Sequence, residues 1–333
     1  MNRRITAWRL VCRVLSPDAD DATISQLSID IQRFEPFWPH VLGFTDAHLV
    51  TAAFWAALIR KGVLANIPNE PQQYMSSLYR LNARRNGSLS TQLEEAIRVL
   101  NGCGIVPVLL KGAAYLKEGI YRDPAARIFS DLDLLIREAE IPMALETLNG
   151  IGYRANEEGL DYYTEHRHVP PIFRPGDYGA IELHRRCVRR NLEHVLQHEA
   201  VWESSVEKNR EGMQYRVLSP THMVMLSFLH SYIMDRFGET FTIGLRPIQD
   251  LLALDTAYGR LIDWDEIHAQ LNERGLRKRL QEYLLIANRL IGFRASPSRF
   301  GGREWAHYGV SVARIRWPII EKLTNRLLVR QRS

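Results

Sequence analysis

The chain is poor in cysteine, and Cys12, Cys103 and Cys187 are scattered, odd in number and without a C-x-x-C pair. That excludes a disulfide framework or cysteine zinc site as an organising device and points to a reducing, cytoplasmic compartment. Apolar runs long enough to span a bilayer are missing, so no transmembrane segment is expected. The N-terminal stretch MNRRITAWRLVCRVL lacks a signal-peptide core because Arg9 and Arg13 interrupt it. Its apolar residues Ile5, Trp8, Cys12 and Leu15 recur at helical spacing and read as a docking helix, with membrane-surface binding as the alternative. No G-x-x-x-x-G-K-[ST] occurs, which removes the Walker-type phosphate loop. Gly102-Cys103-Gly104 precedes a strand pattern instead of following one, so it is not a dinucleotide fingerprint. Internal repeats and low-complexity segments are absent as well.

What is present fits a globular protein of two or three domains, with 333 residues, 46% of them hydrophobic and 24% charged. The net charge of +5 is uneven. From Phe293 onward nine basic residues (Arg294, Arg299, Arg303, Arg314, Arg316, Lys322, Arg326, Arg330 and Arg332) face only Glu304 and Glu321, a surplus of +7 that leaves the rest at −2. Such a tail suits an anionic partner, or a solvated helix face.

Before Cys103 the chain reads as helical. One helix is expected over Asp46 to Val63. A longer one is expected over Gln72 to Leu100, interrupted near Asn86-Gly87 and restarted at Ser90, with Leu93, Ala96, Ile97 and Leu100 as its apolar stripe. Glu138 to Gly150 is again helical. Val169–Phe173 and Tyr178–His184 read as a hairpin across Arg174-Pro175-Gly176-Asp177. From Ser219 helices return over the SPTHMVMLSFLHSYI run, Ile248–Tyr258, Trp264–Arg274 and Leu276–Ile291, and Pro318 limits any helix in the tail.

The stretch Val106 to Ile136 is chemically the most informative. It reads as a buried strand, a Lys111-Gly112 turn, a short helix, and a second strand carrying Asp131 and Asp133. Strand side chains alternate, so the two aspartates share one face while Leu132 and Leu134 take the packed one. Paired carboxylates repel unless a cation lies between them, and hard oxygen donors suit magnesium. The free N–H groups of a helix that opens at Lys111-Gly112 suit phosphate.

The run LLKGAAYLKEGIYRDPAARIFSDLDLLI resembles the signature of the uncharacterised nucleotidyltransferase family within the DNA polymerase beta-like superfamily. The resemblance extends over about Tyr74 to Gly292 and implies a third carboxylate from a later strand, Glu182, in YGAIELH. In that strand Ile181 and Leu183 face the core, so Ala180, Glu182 and His184 share the face of the aspartates. Ala113 stands where the wider superfamily has serine, so a hydroxyl contact to phosphate is missing, and Lys111 is the candidate substitute.

The implied enzyme moves a nucleoside monophosphate from an NTP, ATP first among the donors, to an acceptor hydroxyl on a peptide or protein, an RNA end or a small molecule. Two Mg2+ ions, or Mn2+, would be held by Asp131, Asp133 and Glu182. Lys111, Gly112, Ala113, Arg127 and Ser130 would lie at the phosphates. His184, His230, Arg246 and Asp250 would contact the acceptor or support the site. The implied fold is α+β, a small mixed β-sheet core (103–215) flanked by an N-terminal helical region (1–102) and a C-terminal one with the basic tail (216–333).

Several residues have plainer readings. Arg127 would pair with Asp123 or Asp131. His184 would be a structural histidine. Arg185, Arg186, Arg189 and Arg190 would form a solvated helix face, and His194 and His198 have a zinc-like spacing on one helix without the glutamate of H-E-x-x-H. Two other functions use similar parts: a nucleotide-sugar-dependent glycosyltransferase, which also employs D-x-D, and an inactive nucleotidyltransferase-like binding protein.

Overall fold

A computed structural model describes residues 2–17, 21–33, 37–155, 166–294, 299–317 and 319–320. Lys322, Arg326, Arg330 and Arg332 of the basic tail, with Glu321 and Pro318, lie outside the described residues. Four helices open the chain: α1 (Arg3–Leu15), α2 (Asp21–Arg33), α3 (Trp38–Ala47) and α4 (Thr51–Arg60). The docking role of α1 is realised: Asn2 caps its first turn and Trp8, Val11, Cys12 and Leu15 are buried. The single helix expected over 46–63 is instead the end of α3, a turn and α4. Asp46 fastens that turn by accepting from Thr51 Oγ1 at 2.5 Å and from Tyr74 Oη at 2.7 Å, and Leu49 takes φ +55° there.

The long helix α5 (Asn69–Gly102) runs without the expected break at Asn86-Gly87. Asparagine and glycine favour turns because Asn competes for its own backbone. Here Asn86 Nδ2 donates to the carbonyls of Pro124 and Arg127 at 2.7 and 2.8 Å, and Asn82 Nδ2 to those of Ala125 and Arg127 at 2.6 and 2.9 Å. The side chains are thus engaged in tertiary bonds. The apolar stripe Leu93, Ala96, Ile97 and Leu100 is fully buried, as its spacing requires.

The sheet comprises β1 (Val108–Leu109), β2 (Asp131–Leu135), β3 (Arg154–Ala155), β4 (Ile172–Phe173), β5 (Ala180–His184), β6 (Val206–Arg210) and β7 (Met213–Val217), in the order β3-β4-β5-β2-β1-β7-β6. It is mixed. β2–β5 and β1–β7 are parallel, and the remaining pairs antiparallel. The β4–β5 hairpin is the expected one. The β6–β7 hairpin, turning at Glu211-Gly212 with both residues at positive φ, has no counterpart in the sequence reading.

Between the strands lie α6 (Lys111–Glu118), α7 (Ile141–Gly150) and α8 (His198–Ser204). The C-terminal helices are α9 (Pro220–Phe228), a π turn over Leu229–Met234, α10 (Leu245–Tyr258), α11 (Trp264–Glu273), α12 (Arg277–Ile291) and α13 (Gly302–Arg316). The architecture is α+β, with one apolar core running from α1 through the sheet to Phe293. No single helix among the described residues is long and apolar enough to cross a membrane. His194 precedes α8 instead of sharing it with His198, whose Nε2 accepts from Trp202 Nε1 at 3.1 Å, so the two do not form a helical i,i+4 pair. Arg185 and Arg186 stand in a loop after β5, not on a helix, beside Glu138 and Glu193.

Candidate active site

Strand pairing builds the site. In the parallel β2–β5 ladder Asp131 lies opposite Ala180 and Asp133 opposite Glu182. Leu132 and Leu134 are fully buried in the core, so the carboxylates share the other face, as the period-two reading requires. They line a cleft of about 440 Å3. Lys111, Gly112, Asp131, Asp133 and Glu182 lie on its sheet side. His230, Asp235, Arg246 and Asp250 come from the C-terminal helices, and His48 and Leu49 from the α3–α4 turn.

The aspartates are not equivalent. Asp131 stands half-buried, with Ser130 Oγ donating to its Oδ1 at 2.8 Å. Asp133 is only 1% exposed, and its Oδ1 receives both Lys111 Nζ at 2.5 Å and His184 Nε2 at 2.8 Å. Burial alone would raise the Asp133 carboxyl, but the Lys111 charge and the His184 bond outweigh it and hold the group well below the usual carboxylate range. At Glu182 burial again pushes upward, joined by Asp133; His184 at 3.4 Å and His168 at 3.5 Å bring the net shift below the ordinary value. Both groups therefore stay ionised in a confined space. The ligand atoms of Asp133, Glu182 and His184 lie within 4.8 Å of one another, a donor set that fits one divalent ion.

Lys111 reaches Asp133 from the first residue of α6, where it adopts φ +44°. Left-handed backbone at a lysine is costly and recurs where a site dictates geometry. Gly112 follows, and a Cβ there would come within 3.2 Å of Phe129 Cδ1 and 3.3 Å of Arg127 Nη1. Glycine lets the first turn of α6, with its unbonded N–H groups, approach the cleft. Ala113 is buried behind it.

Arg127 pairs with neither Asp123 nor Asp131. Its Nε and Nη2 donate to Asp250 Oδ1 and Oδ2 at 2.6 and 3.0 Å, and its guanidinium lies over Phe129 at 4.5 Å. Tyr121 Oη adds a bond to Asp250 at 2.6 Å. Sequence reasoning put Arg127 at the phosphates and Asp250 near the acceptor; the structure joins them into one buried tie between the sheet and α10. His230 does line the cleft, with Nδ1 3.2 Å from Asp235 Oδ2. Burial lowers the His230 pKa despite Asp235. Arg246 also lines the cleft.

Besides His48 on the cleft wall, four residues escaped the sequence reading. Arg167 reaches the cleft with its Nε buried and without a hydrogen-bond partner among the described residues. His168 backs Glu182, Asp235 holds His230, and Gln92 Nε2 donates to the Gly179 carbonyl at 2.8 Å just before β5. The alternation His166-x-His168 was the available signal for the second. The others are brought in by folding alone.

An Asp-x-Asp strand, a parallel partner strand carrying glutamate in register, and a Lys-Gly helix start on a mixed sheet define a nucleotidyltransferase-type protein. The chain belongs to the uncharacterised nucleotidyltransferase family, whose profile matches residues 35–292. Among solved structures it is similar to an antigenic nucleotidyltransferase-like protein from Paracoccidioides brasiliensis, with 17% identity, 61% of this chain and 93% of that chain covered, and a TM-score of 0.38. No curated protein matches.

Proposed function

We propose that the protein is a divalent-metal-dependent nucleotidyltransferase that transfers a nucleoside monophosphate from an NTP to an acceptor hydroxyl. The observation that carries the reading is the register of β2 and β5, which sets Asp133 against Glu182 inside the cleft with Lys111 beside them. An acceptor oxygen forms a bond to the α-phosphorus, the bond to the bridging oxygen breaks, and pyrophosphate leaves. Asp131, Asp133 and Glu182 would hold Mg2+, or Mn2+, which when bound offsets charge on the triphosphate and polarises the phosphoryl group. Lys111 and the first turn of α6 would face the phosphates. Arg167 and Arg246 add positive charge to the cleft, while Arg127 braces it through Asp250. Glu182 would favour loss of the acceptor hydroxyl's proton, through the metal it helps to hold or as a direct base. A peptide or protein, an RNA end and an anionic small molecule all supply such a hydroxyl.

The test is calorimetric titration with non-hydrolysable analogues of ATP, GTP, CTP and UTP, with and without Mg2+, on the protein and on Asp131→Ala/Asp133→Ala. Metal-dependent binding of one analogue, weakened at least about a hundredfold in the variant, is expected. A folded protein that binds none of the four would overturn the reading in favour of a binding protein, a role to which the missing serine at Ala113 would then belong.

A further inference from the structure

The donor set at the deep end of the cleft differs in kind from a clamp made of carboxylates alone. Asp133 and Glu182 face each other in register, and His184 follows two residues later on the same face of β5, entirely buried. Its Nε2 is aimed between the two carboxylates, 2.8 Å from Asp133 Oδ1 and 3.4 Å from Glu182 Oε2. Its Nδ1 lies 3.4 Å from the Arg186 carbonyl. A ligating imidazole has one nitrogen at the ion and the other at a backbone acceptor, and His184 would meet that pattern once its Nε2 exchanged the Asp133 hydrogen bond for an ion. Asp131 is not part of this cluster and is engaged with Ser130 nearer the mouth.

We propose that Asp133, Glu182 and His184 form a resident site for one first-row transition ion, with His184 Nε2 as a direct ligand, filled before nucleotide binds. The proposal deepens the nucleotidyltransferase reading and rests on the same carboxylates, but it needs no triphosphate. Mg2+ favours oxygen ligands and keeps its waters, whereas an imidazole in the donor set moves the preference toward the first-row transition ions, of which Mn2+ is the paramagnetic probe closest to Mg2+ in its chemistry. The strands hold the three donors on adjacent rungs of a rigid ladder, so little ordering remains to be done on binding.

Lys111 occupies part of the same place. Its ammonium sits on the same Asp133 oxygen as His184, a cation supplied by the protein where the ion would be held. For an ion to be held there, His184 Nε2 would have to give the proton it shares with Asp133 to solvent, and Lys111 would be free to turn from Asp133 toward the open cleft, where the triphosphate would lie. Metal loading and the arming of the phosphate-binding lysine become one exchange of cations.

The experiment uses the full chain stripped of metal and titrated with Mn2+ in the absence of nucleotide. Electron paramagnetic resonance counts free ion, and electron spin echo modulation detects 14N bonded to bound ion. One Mn2+ per chain, a 14N coupling, and retention against about a tenfold excess of Mg2+ are expected. His184→Gln loses the coupling and weakens binding at least about tenfold. Lys111→Met, with the competing charge removed, tightens binding by about tenfold. Because His184 is buried, folding of its variant is checked by circular dichroism; should it not fold, the wild-type coupling and the Lys111→Met shift decide. Binding that requires nucleotide, bound Mn2+ without 14N coupling, or a coupling that survives in folded His184→Gln overturns the proposal. Each of those results leaves the triphosphate titration above untouched, so the two readings fail separately.

Discussion

Arg127, just before β2, and Asp250, on α10, form an ion pair beside the cleft. The pairing is bidentate and both side chains are buried. Breaking a buried pair from one side strands the other charge. Arg127→Leu should therefore lower unfolding stability by about 3–5 kcal/mol, and Arg127→Leu/Asp250→Leu by clearly less, measured by urea denaturation. Equal losses in the two variants would show that the guanidinium's packing on Phe129, and not the charge pair, is the larger contribution. Lys111, a lysine at a strand end, was legible as a cation near the site. Its left-handed backbone and its hold on Asp133 were not, because both follow from where β2 places the carboxylate.

At the level of elements, period-two alternation put Asp131 with Asp133 and Glu182 with His184 on one face of each strand, while Glu182 itself was reached through the family resemblance. Alternation is local, and it survives any arrangement of the sheet. The helix α5 is where local rules misled. Asn86-Gly87 reads as a break, but tertiary hydrogen bonds from Asn82 and Asn86 to the segment around Arg127 keep the helix continuous for 34 residues. Gly87 is exposed and a Cβ there would meet nothing within 4 Å. Gly87→Ala should consequently stabilise the fold by about 0.5–1 kcal/mol, seen as a raised Tm. Asn86→Ala should cost about 1–3 kcal/mol by taking the side-chain donor from the Pro124 carbonyl and leaving that of Arg127 to Asn82 alone. If Gly87→Ala destabilised instead, a bend at that position would have to be part of the native helix.

Across the whole molecule, the N-terminal helices complete the cleft as well as the core. His48, on the cleft wall, packs against Trp8 of α1 with ring centroids 5.1 Å apart, and burial lowers its pKa to about 4. Above about pH 6.5 the imidazole is neutral in folded and unfolded chains alike and costs nothing. As pH falls from 6.5 toward 4 the unfolded chain takes up a proton that the folded one refuses, so stability drops. His166, His168, His222 and His230 are shifted in the same direction and add to the slope. Thermal unfolding followed from pH 7 to 4.5 should show a falling Tm, and His48→Phe should remove roughly 1–3 kcal/mol of that fall. An unchanged slope in the variant would mean that His48 is protonated in the folded state.

The sequence by itself determined the Asp-x-Asp strand, the Lys-Gly helix start and most of the C-terminal helices, because hydrophobic period, capping and residue chemistry act over a few neighbours, while the family resemblance implied the α+β class and Glu182. Tertiary structure alone decided that Asp133, not Asp131, joins Glu182 and His184, that Arg127 is bound to Asp250, and that His48, Arg167 and Asp235 share the cleft. Those facts depend on which distant segments fold against one another, and on burial fixing which charges must find partners. No local pattern carries that information.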